Sequence, residues 1–228
     1  MTPKFSIIIP VWNEESVIPR TIEHIHSLQE ADSVEIIVVD GDPEGKTMEI
    51  TRRADVRAAI AQRGRGIQMN HGAVLAAGNT LIFLHADTRL PPDALRLIDA
   101  AMQDESCMAG AFDLAIDSER PIFRLIEKAA SLRSRLTRIP YGDQAVFMRK
   151  AVFNELGGFK NIPIMEDVEI MRRIKKRGGK IRIVDRRVRT SSRRWEKEGI
   201  VYTTLRNWFL ITLYLLGIKP EELIRFYR

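Results

Sequence analysis

Cysteine is almost missing from this chain: among 228 residues there is one, Cys107. A lone cysteine closes no internal disulfide, and without a CxxC pair there is no cysteine zinc site, so a reducing, cytoplasmic setting is expected. Long hydrophobic runs are missing too. The longest apolar stretch, WFLITLYLLGI from Trp208 to Ile218, is too short for the roughly 30 Å hydrocarbon core of a bilayer. The opening MTPKFSIIIPVWNEE meets Asn and Glu too soon to serve as a secretory leader. No GxGxxG fingerprint follows the first apolar run, where PVWNEE stands instead, which argues against a dinucleotide-dependent dehydrogenase. A nucleotidyltransferase would usually carry a glycine-rich basic loop there, and that is missing as well.

What is present is an ordinary globular composition, 45% hydrophobic and 29% charged, long enough for one domain with a real core. The net charge of +6 is compatible with nucleic acid, anionic lipid or a phosphorylated small molecule. Much of it lies in RRIKKRGGKIRIVDRRVRTSSRRW, Arg172 to Trp195, which reads equally as solvated helix and strand faces. No nucleic-acid-binding motif accompanies it, so no nucleic-acid partner is expected.

Continuous β-branched runs at Phe5 to Val11 and Val34 to Val39, with Leu81 to Leu84, have the pattern of strands buried on both faces. Helices are expected over 15–29, 47–54, 92–103, 122–136, 150–156 and 166–176, with further strands at 108–116, 145–148 and 181–188. Alternating strands and helices predict an α/β fold with a mostly parallel sheet, whose ligands bind beyond the carboxyl ends of the strands. Three such ends carry polar pairs: Asn13 and Glu14, Asp40 and Asp42, His85 and Asp87. They should converge on one crevice. Strand alternation would point His85 and Asp87 the same way, as a two-ligand metal site needs, although strand capping gives the same pattern.

Read in order, IIIPVWNEE, VVDGDPEGKT, GRGIQMNHGAVLAAGNTLIFLHADT, YGDQAVFMRKAVFNELGGF, PIMEDVEIMRRIKKRG and SSRRW resemble the signature blocks of family 2 glycosyltransferases with the GT-A fold, from about Phe5 to Trp195. The likeness is greatest to short bacterial members with an HAD-type metal motif, some linked to arsenosugar biosynthesis. The resemblance implies an inverting transfer of one sugar from a nucleotide-sugar donor to a sugar, lipid-linked or small-molecule acceptor, with Mn²⁺ or Mg²⁺ as cofactor. The alternatives are a nucleotide-sugar-binding protein of weak or no activity, and a nucleotidyltransferase.

By the same resemblance Pro10, Trp12 and Glu14 line the nucleoside pocket and Asp40 meets the base or ribose, unless Asp40 merely caps a turn with Gly41. Gly41 departs from the commoner pattern of two adjacent Asp. Arg65 falls where the family has a basic residue near the donor phosphates. Asp87, with His85, would hold the metal. Asp167 would be the general base, with Glu166 orienting it or touching the acceptor; the alternative is that both are helix N-terminal acids stabilised by the macrodipole. Asp143 and Trp195 fall on the acceptor side. Arg194 is a diphosphate candidate, or a surface salt-bridge residue. Arg193-Arg194-Trp195 matches part of a block of processive polysaccharide synthases, but Ser191 replaces its Gln, which favours transfer of a single sugar.

Two parts are expected: a GT-A domain over 1–204 and an apolar helical appendage over 205–228. Trp208 to Leu216 is expected to pack on the domain or to form a homodimer seam. The alternative is a peripheral contact with the inner face of the membrane, shared with the basic helix 122–136.

Overall fold

The structure is a computed structural model that describes residues 2–51 and 55–227. Chain order runs β1 (Phe5–Val11), α1 (Ile18–His26), β2 (Val34–Asp40), α2 (Lys46–Ile50), β3 (Val56–Ile60), α3 (Arg65–Leu75), β4 (Thr80–Phe83), β5 (Thr88–Arg89), α4 (Ala94–Met102) and β6 (Cys107–Asp117). It continues through α5 (Pro121–Thr137), β7 (Val146–Arg149), α6 (Lys150–Glu155), α7 (Glu166–Lys176), β8 (Lys180–Ser191), α8 (Arg193–Glu198), α9 (Ile200–Leu215) and α10 (Pro220–Leu223).

Among the described residues the strands form one sheet in the order β3-β2-β1-β4-β7-β6-β8-β5. β3, β2, β1 and β4 are mutually parallel, as are β6 and β8, while β7 and β5 run antiparallel to their neighbours. The apolar runs of β1 and β2 explain their central place, because each feeds two cores at once. Phe5, Ile7, Ile9 and Val11 pack with Ile18, Ile22 and Ile25 of α1 and Leu95 and Ile98 of α4. On the other face Ile8, Ile37 and Val39 meet Met69 and Ala73 of α3, and the same core takes in Ile170, Met171 and Ile174 of α7.

Three local expectations change. Helix α1 begins at Ile18 rather than residue 15, with Pro19 in its first turn, where proline's missing N–H is not needed. Helix α4 begins at Ala94, after Pro91 and Pro92. The helix expected over 47–54 is seen as α2 to Ile50, and residues 52–54 of it lie outside the described residues. Two elements carry no strong sequence signal: β3 is a half-exposed edge strand, and α3 contains Gly66, Asn70 and Gly72, all weak helix formers. The basic run from Arg172 is shared between the end of α7 and the solvent side of β8, where Arg182, Arg186, Arg187 and Arg189 face out while Ile181, Ile183 and Val188 are buried.

Helix α9 runs unbroken across residues 204 and 205. It is amphipathic in reverse: Thr203, Arg206 and Leu210 are buried against the domain, whereas Val201, Tyr202, Leu205, Trp208, Phe209, Leu215 and Leu216 are exposed. Among the described residues no helix is long and apolar enough to cross a membrane.

Candidate active site

The parallel register sets the ends of β1 and β2 side by side, Val11 opposite Asp40. Gln68, on α3, ties them: its amide N–H groups donate to the carbonyls of Val11 at 2.8 Å and Val39 at 2.9 Å. This contact explains Gly41, since a Cβ there would lie 3.1 Å from the Gln68 amide. Asp40 is buried; Oδ1 accepts the Asp42 N–H at 2.9 Å and Oδ2 has no partner. Burial pushes its carboxyl upward, against the pull of the Asp42 N–H and of the nearby Thr47 hydroxyl and N–H. A partnerless oxygen at a strand end fits an acceptor for a ligand N–H or hydroxyl.

Beside it Pro10 is partly buried, and Trp12 is 43% exposed with the Arg63 guanidinium 3.4 Å from its ring centroid. Nothing in the sequence pointed to Arg63. Arg193 is a second residue brought in by the fold. Its Nη2 donates to Glu14 Oε2 at 3.3 Å and Asp87 Oδ2 at 3.2 Å, joining the ends of β1 and β4. Burial raises the Glu14 pKa against the opposing pull of Arg193.

His85 and Asp87 do come together on the cavity wall, but for a different local reason than expected. Strand β4 stops at Phe83, and residues 85–88 form a turn closed by Thr88 N–H to the His85 carbonyl at 3.1 Å. The turn, not strand alternation, aims both side chains while Ala86 is buried. Burial, with the Arg65 charge, lowers His85 to about 4, so its imidazole is neutral at neutral pH.

Helix α7 begins at Glu166 after Met165 adopts a left-handed conformation, φ 67°. That start separates the two acids. Asp167 faces the cavity, with Oδ2 accepting the Gly142 N–H at 2.6 Å and Oδ1 the Val168 N–H at 2.7 Å. Glu166 is buried behind it and pairs with Arg65 Nε at 2.9 Å; its Oε2 has no partner. Glu166 thus pairs with Arg65 and is not among the residues lining the cavity. A Cβ at Gly142 would stand 2.9 Å from His85 Nε2 and 3.5 Å from Asp167 Oδ2, so only glycine lets this loop approach both.

The cavity bounded by Arg65, His85, Asp87, Gly142 and Asp167 has a volume of ≈ 200 Å³ and also takes in Tyr141, Asp143, Arg194, Trp195, Asn207 and Tyr227, whereas Pro10, Trp12, Glu14 and Asp40 lie outside its lining. Three buried polar atoms on its lining residues have no partner: Tyr141 OH, Asp143 Oδ1 and Trp195 Nε1. The Trp195 ring itself is set edge-on against Phe123, centroids 6.0 Å apart, so it packs as well as lines. Arg194 pairs with Glu198 at 3.5 Å and hydrogen-bonds the Tyr227 hydroxyl. Tyr227 and Asn207 belong to the expected appendage, and no local sequence signal marked them.

Burial pushes Asp143 up to about 6, opposed by Arg133 and reinforced by the Asp167 charge. The folded state then binds this proton more tightly than the unfolded state. Its contribution is complete below about pH 4 and is lost as pH rises through about 6. Asp143→Asn, which cannot ionise, should therefore gain stability relative to wild type between pH 4 and 7, by on the order of 1–3 kcal/mol. Urea unfolding at the two pH values measures this, and parallel pH profiles for the two proteins would contradict it.

For a divalent metal the protein offers one carboxylate, Asp87, and one neutral imidazole, His85. Among the described residues no group of three or more His, Cys, Asp or Glu gathers as a cage. Such a donor pair fits an ion whose other positions come from ligand oxygens and water, and mixed nitrogen and oxygen donors suit Mn²⁺ better than Mg²⁺.

The sequence model of Glycosyl transferase family 2 matches residues 6–159. Among curated proteins the chain is similar to the undecaprenyl-phosphate 4-deoxy-4-formamido-L-arabinose transferase of Aeromonas hydrophila, 31% identical over 111 residues that cover 43% of this chain and 33% of that one. The enzyme of the same name in Pseudomonas paraeruginosa is 30% identical over 165 residues, 64% of this chain and 47% of that one. These matches span between a third and a half of the relatives' lengths. Among solved structures, a mannosyltransferase from Pyrobaculum calidifontis in complex with GDP-Man and Mn²⁺ is alike in fold, with TM-score 0.70 at 18% identity over 97% of this chain and 67% of that one.

Proposed function

The chain belongs to glycosyl transferase family 2 and has the GT-A fold, and on that premise we propose an inverting, metal-dependent transfer of one sugar from a nucleoside-diphosphate sugar to an acceptor hydroxyl. The observation that carries this reading is the meeting, in one cavity, of an oriented carboxylate, two arginines and three partnerless polar atoms. Asp167 is the base. Two backbone N–H groups hold its carboxylate in one orientation, and its remaining lone pairs are free for a hydroxyl proton. As the acceptor oxygen forms its bond to the anomeric carbon, the bond to the diphosphate breaks and Asp167 takes the proton.

Negative charge then builds on the leaving nucleoside diphosphate, where Arg65 and Arg194 stabilise it. Glu166 fixes Arg65 for that task. Asp87 and His85 would hold the divalent ion, which when bound supplies further charge neutralisation at the diphosphate. Pro10, Trp12 and Glu14 would line the nucleoside, and Asp40 Oδ2 would take a base or ribose donor. Asp143, Tyr141 and the Trp195 indole N–H are the acceptor's polar contacts. Ser191, in place of a synthase glutamine, supports single transfer. The His85-Ala86-Asp87 turn supports placement among the short HAD-type members, and the arsenosugar link stands or falls with that placement.

The reading includes residues 205–228 as an appendage on a GT-A unit of 1–204, and a lipid-linked acceptor reached at the inner membrane face through the exposed side of α9. The exposed Trp208, Phe209 and Leu205 support that contact, as does the undecaprenyl-phosphate in the names of the two curated relatives. Sedimentation of the chain with and without anionic vesicles separates membrane contact from a homodimer seam.

Incubating the protein with nucleotide sugars, with and without Mn²⁺ or Mg²⁺, should release nucleoside diphosphate from at least one donor. The matching diphosphate should raise the melting temperature. The two-donor metal site favours, as second reading, a protein that binds nucleotide sugars without transferring them. Stabilisation with no turnover under any metal would select that reading, and no stabilisation by any nucleoside diphosphate would end both.

A further inference from the structure

Beyond α9, the described residues reach the cavity through one side chain, Tyr227. Leu223 of α10 is fully buried with Ile164 and Leu210, and Met165, Ile224 and Tyr227 pack around them. The segment is thus anchored against the residues that immediately precede Glu166 and Asp167. One turn further on, the Tyr227 ring lies under two guanidinium groups, with Arg194 4.2 Å and Arg206 5.5 Å from its centroid. Its hydroxyl accepts a hydrogen bond from Arg194 Nη1, and the Arg65 guanidinium is near enough to interact with it electrostatically.

Guanidinium groups only donate. The Tyr227 oxygen must therefore accept the bond from Arg194, and its own hydrogen is used by neither arginine. That hydrogen belongs to a residue on the cavity wall, between the two cations assigned to the leaving group. Three donors, two of them charged, converge there, and a phosphate presents only acceptors at neutral pH. We infer that Tyr227 is a donor-binding residue, whose hydroxyl hydrogen-bonds the diphosphate of the nucleotide sugar and completes a three-donor clamp with Arg65 and Arg194.

This rests on the donor reading above and deepens it, since it makes the turn that carries Tyr227 part of the leaving-group site. The clamp is selective in a specific way. It strengthens binding of a nucleoside diphosphate but does nothing for the nucleoside itself. It also acts where negative charge builds during transfer, so removing the hydroxyl should lower kcat as well as raise the donor KM.

The test compares wild type with Tyr227→Phe, which keeps the ring under Arg194 and Arg206 and removes only the hydroxyl. Thermal-shift titrations with UDP, GDP and the matching monophosphates, in Mn²⁺, read the concentration at half-maximal stabilisation. That concentration should rise roughly tenfold for the diphosphate that wild type prefers, the effect of losing one hydrogen bond to a charged group. For the monophosphate it should change far less. A chain ending at Phe226, which keeps the Leu223 anchor, should reproduce the loss if the Phe variant misfolds. Equal diphosphate titrations in wild type and both variants would overturn the inference while leaving the donor reading intact. Equal weakening for mono- and diphosphate would reduce Tyr227 to a packing role and overturn it too. If no nucleoside diphosphate stabilises wild type, the donor reading itself fails and takes the clamp with it.

Discussion

Asp167→Asn is expected to lower sugar transfer by roughly 10²- to 10⁴-fold while the stabilisation by nucleoside diphosphate and Mn²⁺ persists. The carboxamide is nearly isosteric and can still accept the Val168 N–H, but it cannot take a proton from an attacking hydroxyl. Its NH₂ group would face the Gly142 N–H, two donors opposed, so that local contact is lost as well. This loss predicts a modest drop in the unliganded melting temperature, separable from the catalytic loss because donor binding is measured independently. The readout is nucleoside-diphosphate release under saturating donor. Equal turnover in wild type and Asp167→Asn would remove Asp167 from the role of base and turn attention to Asp143, the cavity carboxylate not assigned to the metal.

Asp87→Ala should abolish the part of the thermal shift that depends on the metal. A diphosphate at about 100 times its Kd stabilises by about 2.7 kcal/mol. For a chain of this size that corresponds to a rise of roughly 5–10 °C. In wild type the rise should need Mn²⁺ and vanish with a chelator. In Asp87→Ala the shift should be small and the same with or without the ion. Because Asp87 also receives Arg193, the comparison variant is Arg193→Ala, which breaks that ion pair and keeps the carboxylate. If Arg193→Ala loses the metal response as fully as Asp87→Ala does, the effect is positional and Asp87 is not shown to be a ligand. A full Mn²⁺ response in Asp87→Ala would reject the assignment outright.

Much of the frame was legible because its signals are local. FSIIIPV and VEIIVV announce strands buried on both sides by composition alone, and the acids beyond them follow from where parallel strands end. The helix over 166–176 is seen as expected, with acids in its first turn and lysines in its last. Where the pattern was weak, the fold supplied the order. VRAAI becomes β3 only because β2 offers it a ladder. GRGIQMNHGAVL becomes α3 because its small residues and Gln68 fit closely against β1 and β2.

The candidate site divides in the same way. The sequence by itself determined the fold class, the family and a set of polar residues at strand ends, all of which reside in short contiguous blocks. Only the tertiary structure decided what those residues can do. It buried Glu166 and left Asp167 open, although the two are adjacent. It raised Asp143 by excluding water from one cavity, bridged Glu14 to Asp87 through Arg193 across separations of 179 and 106 residues, and set Tyr227 on Arg194, 33 residues away. Secondary structure is written in neighbours along the chain, whereas charge state and hydrogen-bond partnership depend on which distant surfaces close over a group and dry it.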